Sequence, residues 1–200
     1  EEMLNEVPKT VCRGDVDRMA EVQKMDDRVD NLYSAIASYL ARLGTANLSK
    51  NSAGDAMSAM TVTTELENVG DIIETNMSHL TSIFSSANLQ LGPQILTELT
   101  GYHDKIAKAL RRSIVAFEHD NLSAAQEVLD MEESLIGGME KLRRDRQNQL
   151  LQENHTSQEM AAFTFETDVM ENFKRIYQHL QRVARLVLHK EGSRKDLVTQ

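Results

Sequence analysis

The sequence predicts an all-α protein built as two stacked three-helix units packed lengthwise, six helices in all. Three observations carry this. Apolar residues recur at steps of three and four along most of the chain, the period of helices with one buried stripe. The aromatic share is only 4%, with no Trp and two Pro, a profile that favours helix over sheet. Finally, the two halves of the chain line up with each other in order, as a duplicated unit would.

Taken in order, residues 1 to about 12 carry Met3, Leu4 and Val7 before Pro8. They read as the end of a helix that starts earlier, and the missing initiator Met fits a chain cut from something longer. Pro8 is expected to disturb a continuous helix. From about Asp15, an acceptable N-cap after Gly14, the stripe Val22, Met25, Val29, Leu32, Ile36, Tyr39 or Leu40 and Leu43 runs to a stop at Gly44. Residues 45–51 are polar and read as a loop. The next helix, about 52 to 86, buries Val62, Leu66, Val69, Ile73, Met77, Leu80 and Phe84. Gly92-Pro93 then marks the clearest internal boundary, with Pro93 suited to a first helical turn.

Past that boundary, residues 94 to about 117 repeat the pattern through Ile95, Leu99, Ile106, Ala109, Leu110 and Ile114, until His119-Asp120-Asn121 breaks it. A long helix over about 122–152 follows. Gly137-Gly138 inside it costs about 1 kcal/mol per residue relative to Ala and marks a kink or a close helix contact. Thr156 and Glu159 have capping-box spacing and open a last helix through Phe163, Met170, Phe173, Ile176, Leu180, Val183 and Val187. Residues from Lys190 onward read as a charged tail that frays.

The duplication rests on residues 14–22 lining up with residues 120–128 at an offset of 106, with Met25-Asp26-Asp27 then falling on Met131-Glu132-Glu133. Glu67-Asn68 meets Glu171-Asn172 at an offset of 104, so the loops differ by two residues. The expected units are residues 1–89 and 90–200. Composition narrows the function classes. A net charge of −9 argues against nucleic acid as a partner, and the single cysteine, Cys12, excludes an internal disulfide or a cysteine-based zinc site. No apolar run is long enough to span a bilayer, and no secretory signal opens the chain.

The acids carry the chemistry. Glu67 and Asp71 stand one helical turn apart on one flank of the buried stripe, and Asp26 and Asp30 repeat that spacing on the preceding helix. If the two helices are antiparallel neighbours, the four carboxylates converge. Oxygen ligands of this kind suit Mg²⁺, Mn²⁺, iron or Zn²⁺, and a cation relieves their mutual repulsion. The alternative is a solvated acidic face, which spacing alone favours. In the second half the pattern is eroded, because Glu132 and Glu133 lack an acid four residues on and Glu171 is followed by Arg175. A reduced set of Glu133, Asp168 and Glu171 is what remains there.

Leu66-Glu67-Asn68-Val69-Gly70-Asp71 followed by Asn76 resembles the E-R-x-G-D-x-x-x-N signature of PhoU-like domains, with Asn68 in place of the usual Arg and Asn76 one residue beyond the motif's Asn position. Asp26-Asp27-Arg28-Val29-Asp30 is similar to their second motif, E/D-x-x-x-D. Tyr39 to Leu43, Asn47-Leu48-Ser49, and the stretch from Asp168 to Leu188 containing Arg175-Ile176 are more similar to the variant fused to the C-terminus of bacterial sodium/phosphate symporters. The resemblance implies an elongated pair of three-helix bundles and negative regulation of phosphate uptake or signalling. It further implies the multinuclear iron or zinc clusters of some members, whose ligands carried over by position are Asp26, Asp30, Glu67 and Asp71, with no metal as the alternative.

The expected function is therefore a non-catalytic regulatory domain of a sodium-coupled phosphate transporter, on the cytoplasmic face of the inner membrane as part of a membrane protein. Its partner would be the transmembrane portion of the transporter or a phosphate-signalling protein, with a homodimer as a further candidate. A free-standing accessory protein of the phosphate regulon is the alternative, and a metal-dependent phosphoesterase a third reading. Other motifs carry less. The six histidines form no close pair and no Glu has a His three residues later, which removes ferritin-like di-iron chemistry. Lys141 to Arg146 reads as a mixed, solvated helix face, and the methionines Met57, Met60, Met77, Met131, Met139 and Met170 read mostly as core filling.

Overall fold

The computed structural model describes residues 1–44, 50–152 and 156–198, and among these there is no strand. Six helical rods result. The first is α1 (Glu2–Thr10) with a 3₁₀ turn (Val11–Arg13), and the second is α2 (Val16–Gly44). The third joins α3 (Lys50–Asp71) to α4 (Ser78–Ser86) through a π turn (Ile72–Met77). Then come α5 (Pro93–Glu118), the rod of α6 (Leu122–Asp130) and α7 (Gly138–Gln152) with a π turn over Glu133–Gly137, and α8 (Ser157–Val198). The expected loop over residues 45–51 lies largely outside the described residues. Helix α8 continues to Val198 where a fraying tail was expected from Lys190.

The helix ends are set by the residues that local chemistry demands. Asp15 Oδ1 accepts the Arg18 amide at 3.0 Å, Asn121 Oδ1 accepts that of Ala124 at 2.9 Å, and Gly92 with Pro93 opens α5. Thr156 and Glu159 close a reciprocal capping box: the Thr156 amide donates to Glu159 Oε2 at 2.8 Å and the Glu159 amide to Thr156 Oγ1 at 3.2 Å. Gly14, at φ 64°, turns the chain into α2, where a Cβ would lie 2.9 Å from Phe84 Cδ1 and 3.1 Å from the Ser85 nitrogen. That approach admits only glycine.

Pro8 sits inside α1 instead of ending it. A proline has no N–H for the carbonyl four residues back, here that of Leu4. His103 Nε2 of α5 lies 2.9 Å from that oxygen and supplies the missing donor. The same ring places Nδ1 3.2 Å from Asp104 Oδ1 and tilts against Phe173 at 6.3 Å, which ties α1 to α5 and α8.

Helix α8 packs against α3, α5 and α6, and its apolar residues Phe165, Val169, Phe173, Ile176 and Leu180 form the spine of the core. The hydroxyl of buried Tyr177 donates to the Val128 carbonyl at 2.6 Å, fastening α8 to α6. Gly138 makes the close contact foreseen for the glycine pair, since a Cβ there would lie 3.0 Å from the Tyr102 hydroxyl. Met77, Met139 and Met170 are core residues, whereas Met57 is exposed.

One expected stripe is only half buried. Met19 and Val22 of α2 lie in the core, but Leu32, Ile36 and Tyr39 are exposed at 63%, 38% and 56%. Helix α1 covers that face of α2 only as far as a groove lined by Met3, Met25, Val29 and Leu32.

Candidate metal centre

Helices α2 and α3 lie side by side and bring their acidic flanks together. Asp26, Asp30 and Asp71 each offer a carboxylate oxygen, and the three oxygens lie within 4.8 Å of one another. Asp26 is buried at 7% exposure, while Asp30 and Asp71 open to solvent. Glu67, one turn before Asp71, stands beside this group instead of inside it. Its carboxyl is raised above the ordinary range by burial and by the charges of Asp71 and Asp30. The group thus consists of three acids with a fourth on its edge.

Room for the inner acid comes from Gly70. A Cβ at that position would lie 2.7 Å from Asp26 Oδ1 and 3.5 Å from Val29 Cγ1. The glycine that precedes Asp71 is therefore what lets the two helices approach with a carboxylate between them. Directly after Asp71 the helix widens into the π turn, a distortion often found at functional sites. That turn places Asn76 so that its Nδ2 donates to Asn172 Oδ1 of α8 at 2.7 Å.

The electrostatics are those of crowded, uncompensated charge. The carboxyl of Asp26 is pushed up to about 6, first by burial and then by Asp30, Asp71, Glu74 and Glu67. Asp71 is raised by burial, Asp30 and Glu74. Asp26 Oδ1 is buried and has no hydrogen-bond partner among the described residues. Among these residues no Lys or Arg pairs with Asp26, Asp30, Glu67 or Asp71. An oxygen-only donor set with one orphaned buried oxygen and no internal cation fits a hard or borderline metal ion.

Residues 1–79, which hold both acidic motifs, match the family model of the PhoU domain. Over those residues, fewer than half of the chain, the sequence is similar to that family. The fold of the chain is also that of a solved structure, PhoU from Pseudomonas aeruginosa, with a TM-score of 0.84 over 96% of this chain and 90% of that one. The two share 14% identity, so this likeness is one of fold. Among curated proteins none matches the chain. No helix among the described residues is long and apolar enough to cross a membrane.

The reduced acidic set is arranged differently. Asp168 and Glu171 line a cleft of about 210 Å³ that also takes in Glu140, Arg143 and Lys174. Lys174 Nζ lies 3.7 Å from Glu140 and 4.0 Å from Glu171, so a lysine supplies the positive charge there. Glu133 folds back over its own helix, where a Cβ on Gly137 would lie 2.7 Å from its Oε1. Among the described residues, Glu133, Asp168 and Glu171 do not gather into a ligand group.

Glu74 is the residue of the first site that sequence reasoning passed over. It raises the Asp26 and Asp71 carboxyls, and its own carboxylate accepts from Gln23 Nε2 at 3.4 Å and Thr75 Oγ1 at 2.6 Å. The signal was present as the step of three from Asp71 to Glu74, one turn further along the same flank. The π turn shifts that register and could not be read from composition.

Proposed function

We propose that this PhoU domain is a non-catalytic regulator of phosphate uptake whose state is set by a metal ion on Asp26, Asp30 and Asp71, with Glu67 at the edge. Iron or zinc is the expected ion, with Mn²⁺ or Mg²⁺ as alternatives. The observation that carries the reading is the orphaned Asp26 carboxylate at the head of an oxygen-only group in a PhoU fold. When bound, the ion would supply positive charge that the chain lacks at this seam. Asp26 would anchor it from α2, Asp71 would hold it from α3, and Gly70 keeps the space between them open. Asn76 joins the same stretch to α8 through Asn172, so a change at the seam reaches the helix on which the second half is built.

The setting proposed is the cytoplasmic face of a sodium-coupled phosphate transporter, with the transmembrane portion or a phosphate-signalling protein as partner. The support is the resemblance of residues 39–49 and 168–188 to the symporter-fused variant. The likeness to PhoU of P. aeruginosa favours, as a second reading, an accessory protein of PhoU type. A reading frame that continues upstream into apolar spans of about 20 residues selects the first.

Elemental analysis of protein purified without chelator tests the metal, and phosphate uptake by cells carrying Asp26→Ala with Asp71→Ala tests the role. Stoichiometric metal in the native chain and altered uptake in the variant are expected. A metal-free protein that binds none of the four ions, or unchanged uptake in the variant, overturns the reading. Phosphatase turnover above buffer with Mn²⁺, Zn²⁺ or iron would overturn the non-catalytic assignment.

A further inference from the structure

A second cleft, of about 420 Å³, lies where the segment before α5, the C-terminal half of α7 and the first turns of α8 meet. It shares no residue with the acidic group. Ile95, Leu150 and Phe163 form an apolar wall, and Arg146 and Glu166 lie on the polar side. A volume of this size suits a small organic molecule.

Among the described residues the polar side is short of positive charge. Arg146 is the guanidinium for two carboxylates, and its NH2 nitrogen donates to Glu98 Oε2 at 2.9 Å. Gln94 Nε2 donates to the other Glu98 oxygen at 3.0 Å, so Glu98 is satisfied. Glu166 is not. It is 1% exposed, and its Oε1 lies 3.7 Å from Arg146 Nε, beyond hydrogen-bond reach. Among the described residues these two atoms form a long ion pair with each other, and neither has a hydrogen-bond partner. An unmet acceptor and an unmet donor therefore face each other beside an apolar wall, with one carboxylate charge in excess. Buried groups of this kind are costly to leave unpaired.

We infer that this cleft binds a small organic amine carrying a neighbouring hydroxyl, its ammonium donating to Glu166, its hydroxyl oxygen accepting from Arg146 Nε–H, and its apolar body lying on Ile95, Leu150 and Phe163. Glu166 turns toward the cleft as the ligand enters, exposing the oxygen that is now shielded. An anion is disfavoured, because Glu166 and Glu159 line the same space and the guanidinium is already engaged by Glu98. A purely apolar ligand would leave both polar atoms unmet.

The probe is 2-amino-1-phenylethanol, titrated into the full chain and followed by amide NMR shifts. The controls are 1-phenylethanol, which lacks the ammonium, and mandelate, which replaces it with a carboxylate. Saturable shifts confined to residues around the cleft, with a Kd of about 1 mM or tighter, are expected. Each control should bind at least tenfold more weakly, roughly 1.4 kcal/mol. Glu166→Gln should weaken the amine by a similar factor. Leu150→Trp, which fills the half-buried rim, should abolish binding while leaving the melting temperature in place, and it decides the matter alone if Glu166→Gln does not fold. No shift at roughly 10 mM probe, binding of mandelate as tight as the amine, or full-strength binding to Leu150→Trp overturns the inference. None of these results depends on whether Asp26 and its neighbours hold a metal.

Discussion

Replacing Asp26 by Asn should stabilise the metal-free protein at neutral pH, the reverse of what substituting a buried, well-bonded carboxylate would do. The Asp26 carboxyl is raised from 3.8 to about 6, so its ionised form is disfavoured in the folded state. One pKa unit corresponds to about 1.36 kcal/mol, which sets an upper bound of about 3 kcal/mol for the burden of keeping it charged at pH 7. Asp30 and Asp71 open the cluster to solvent, and screening there lowers the expected gain to about 1–2 kcal/mol. For a chain of this size that is a rise in melting temperature of roughly 2–8 °C. The sign follows from linkage. A carboxyl raised on folding contributes no penalty below its unfolded value near 4, and the penalty grows as pH climbs through about 6. Thermal melts of chelator-treated protein at pH 4 and pH 7.5 should therefore coincide for the two forms at the lower pH and separate at the higher. Excess Mn²⁺ or Zn²⁺ should reverse the order at pH 7.5, because only the aspartate binds the ion. An Asn variant less stable than the native chain at pH 7.5 without metal would refute the reasoning, since it would mean that the carboxylate has a partner worth more than its desolvation.

Gly70→Ala places a methyl 2.7 Å from Asp26 Oδ1. Helix propensity offers about 1 kcal/mol in return, so stability should change little while metal affinity falls at least tenfold, readable by calorimetric titration. Glu67→Ala combined with Asp71→Ala should strip bound metal and leave the far-ultraviolet circular dichroism nearly unchanged. Equal metal content in that double variant would refute the ligand assignment. His103→Leu should cost about 1–3 kcal/mol in urea unfolding by orphaning the Leu4 carbonyl. Adding Pro8→Ala restores a backbone donor to that carbonyl and should recover part of the loss, a coupling that a double-mutant cycle measures.

Much of the helical layout was legible because it is written in local chemistry. The caps at Asp15, Asn121 and Thr156–Glu159, and the Gly92–Pro93 boundary, all sit where their side chains predict. Asp26, Asp30 and Asp71 could be brought together on paper because spacing of four puts residues on one flank whatever the partner helix is. What spacing cannot show is depth. Glu67 and Asp71 look alike in the motif, yet Glu67 lies at the edge of the group. The two π turns carry no sequence signature of their own, and they moved the flank that would have revealed Glu74. The exposed stripe from Leu32 to Tyr39 looks buried in the sequence because periodicity records an apolar face and not whether anything lies against it. The long ion pair of Arg146 and Glu166 belongs to helices that meet only in three dimensions, and in the sequence Arg146 reads as part of a mixed, solvated helix face.

Helix α1 is docked by a residue far along the chain. Its proline leaves a carbonyl that, among the described residues, His103 answers from 99 positions later. This segment is thus made well before it can settle, since its docking surface does not exist until α5 has been laid down. It is equally the piece best placed to peel away while the rest stays folded. Because Met3 of α1 shares a groove with Met25 and Val29, the neighbours of Asp26 and Asp30, such peeling would uncover the helix that bears half of the acidic group. Hydrogen exchange at α1, compared with and without bound cation, would show whether undocking at one end and occupancy at the seam are two views of a single equilibrium.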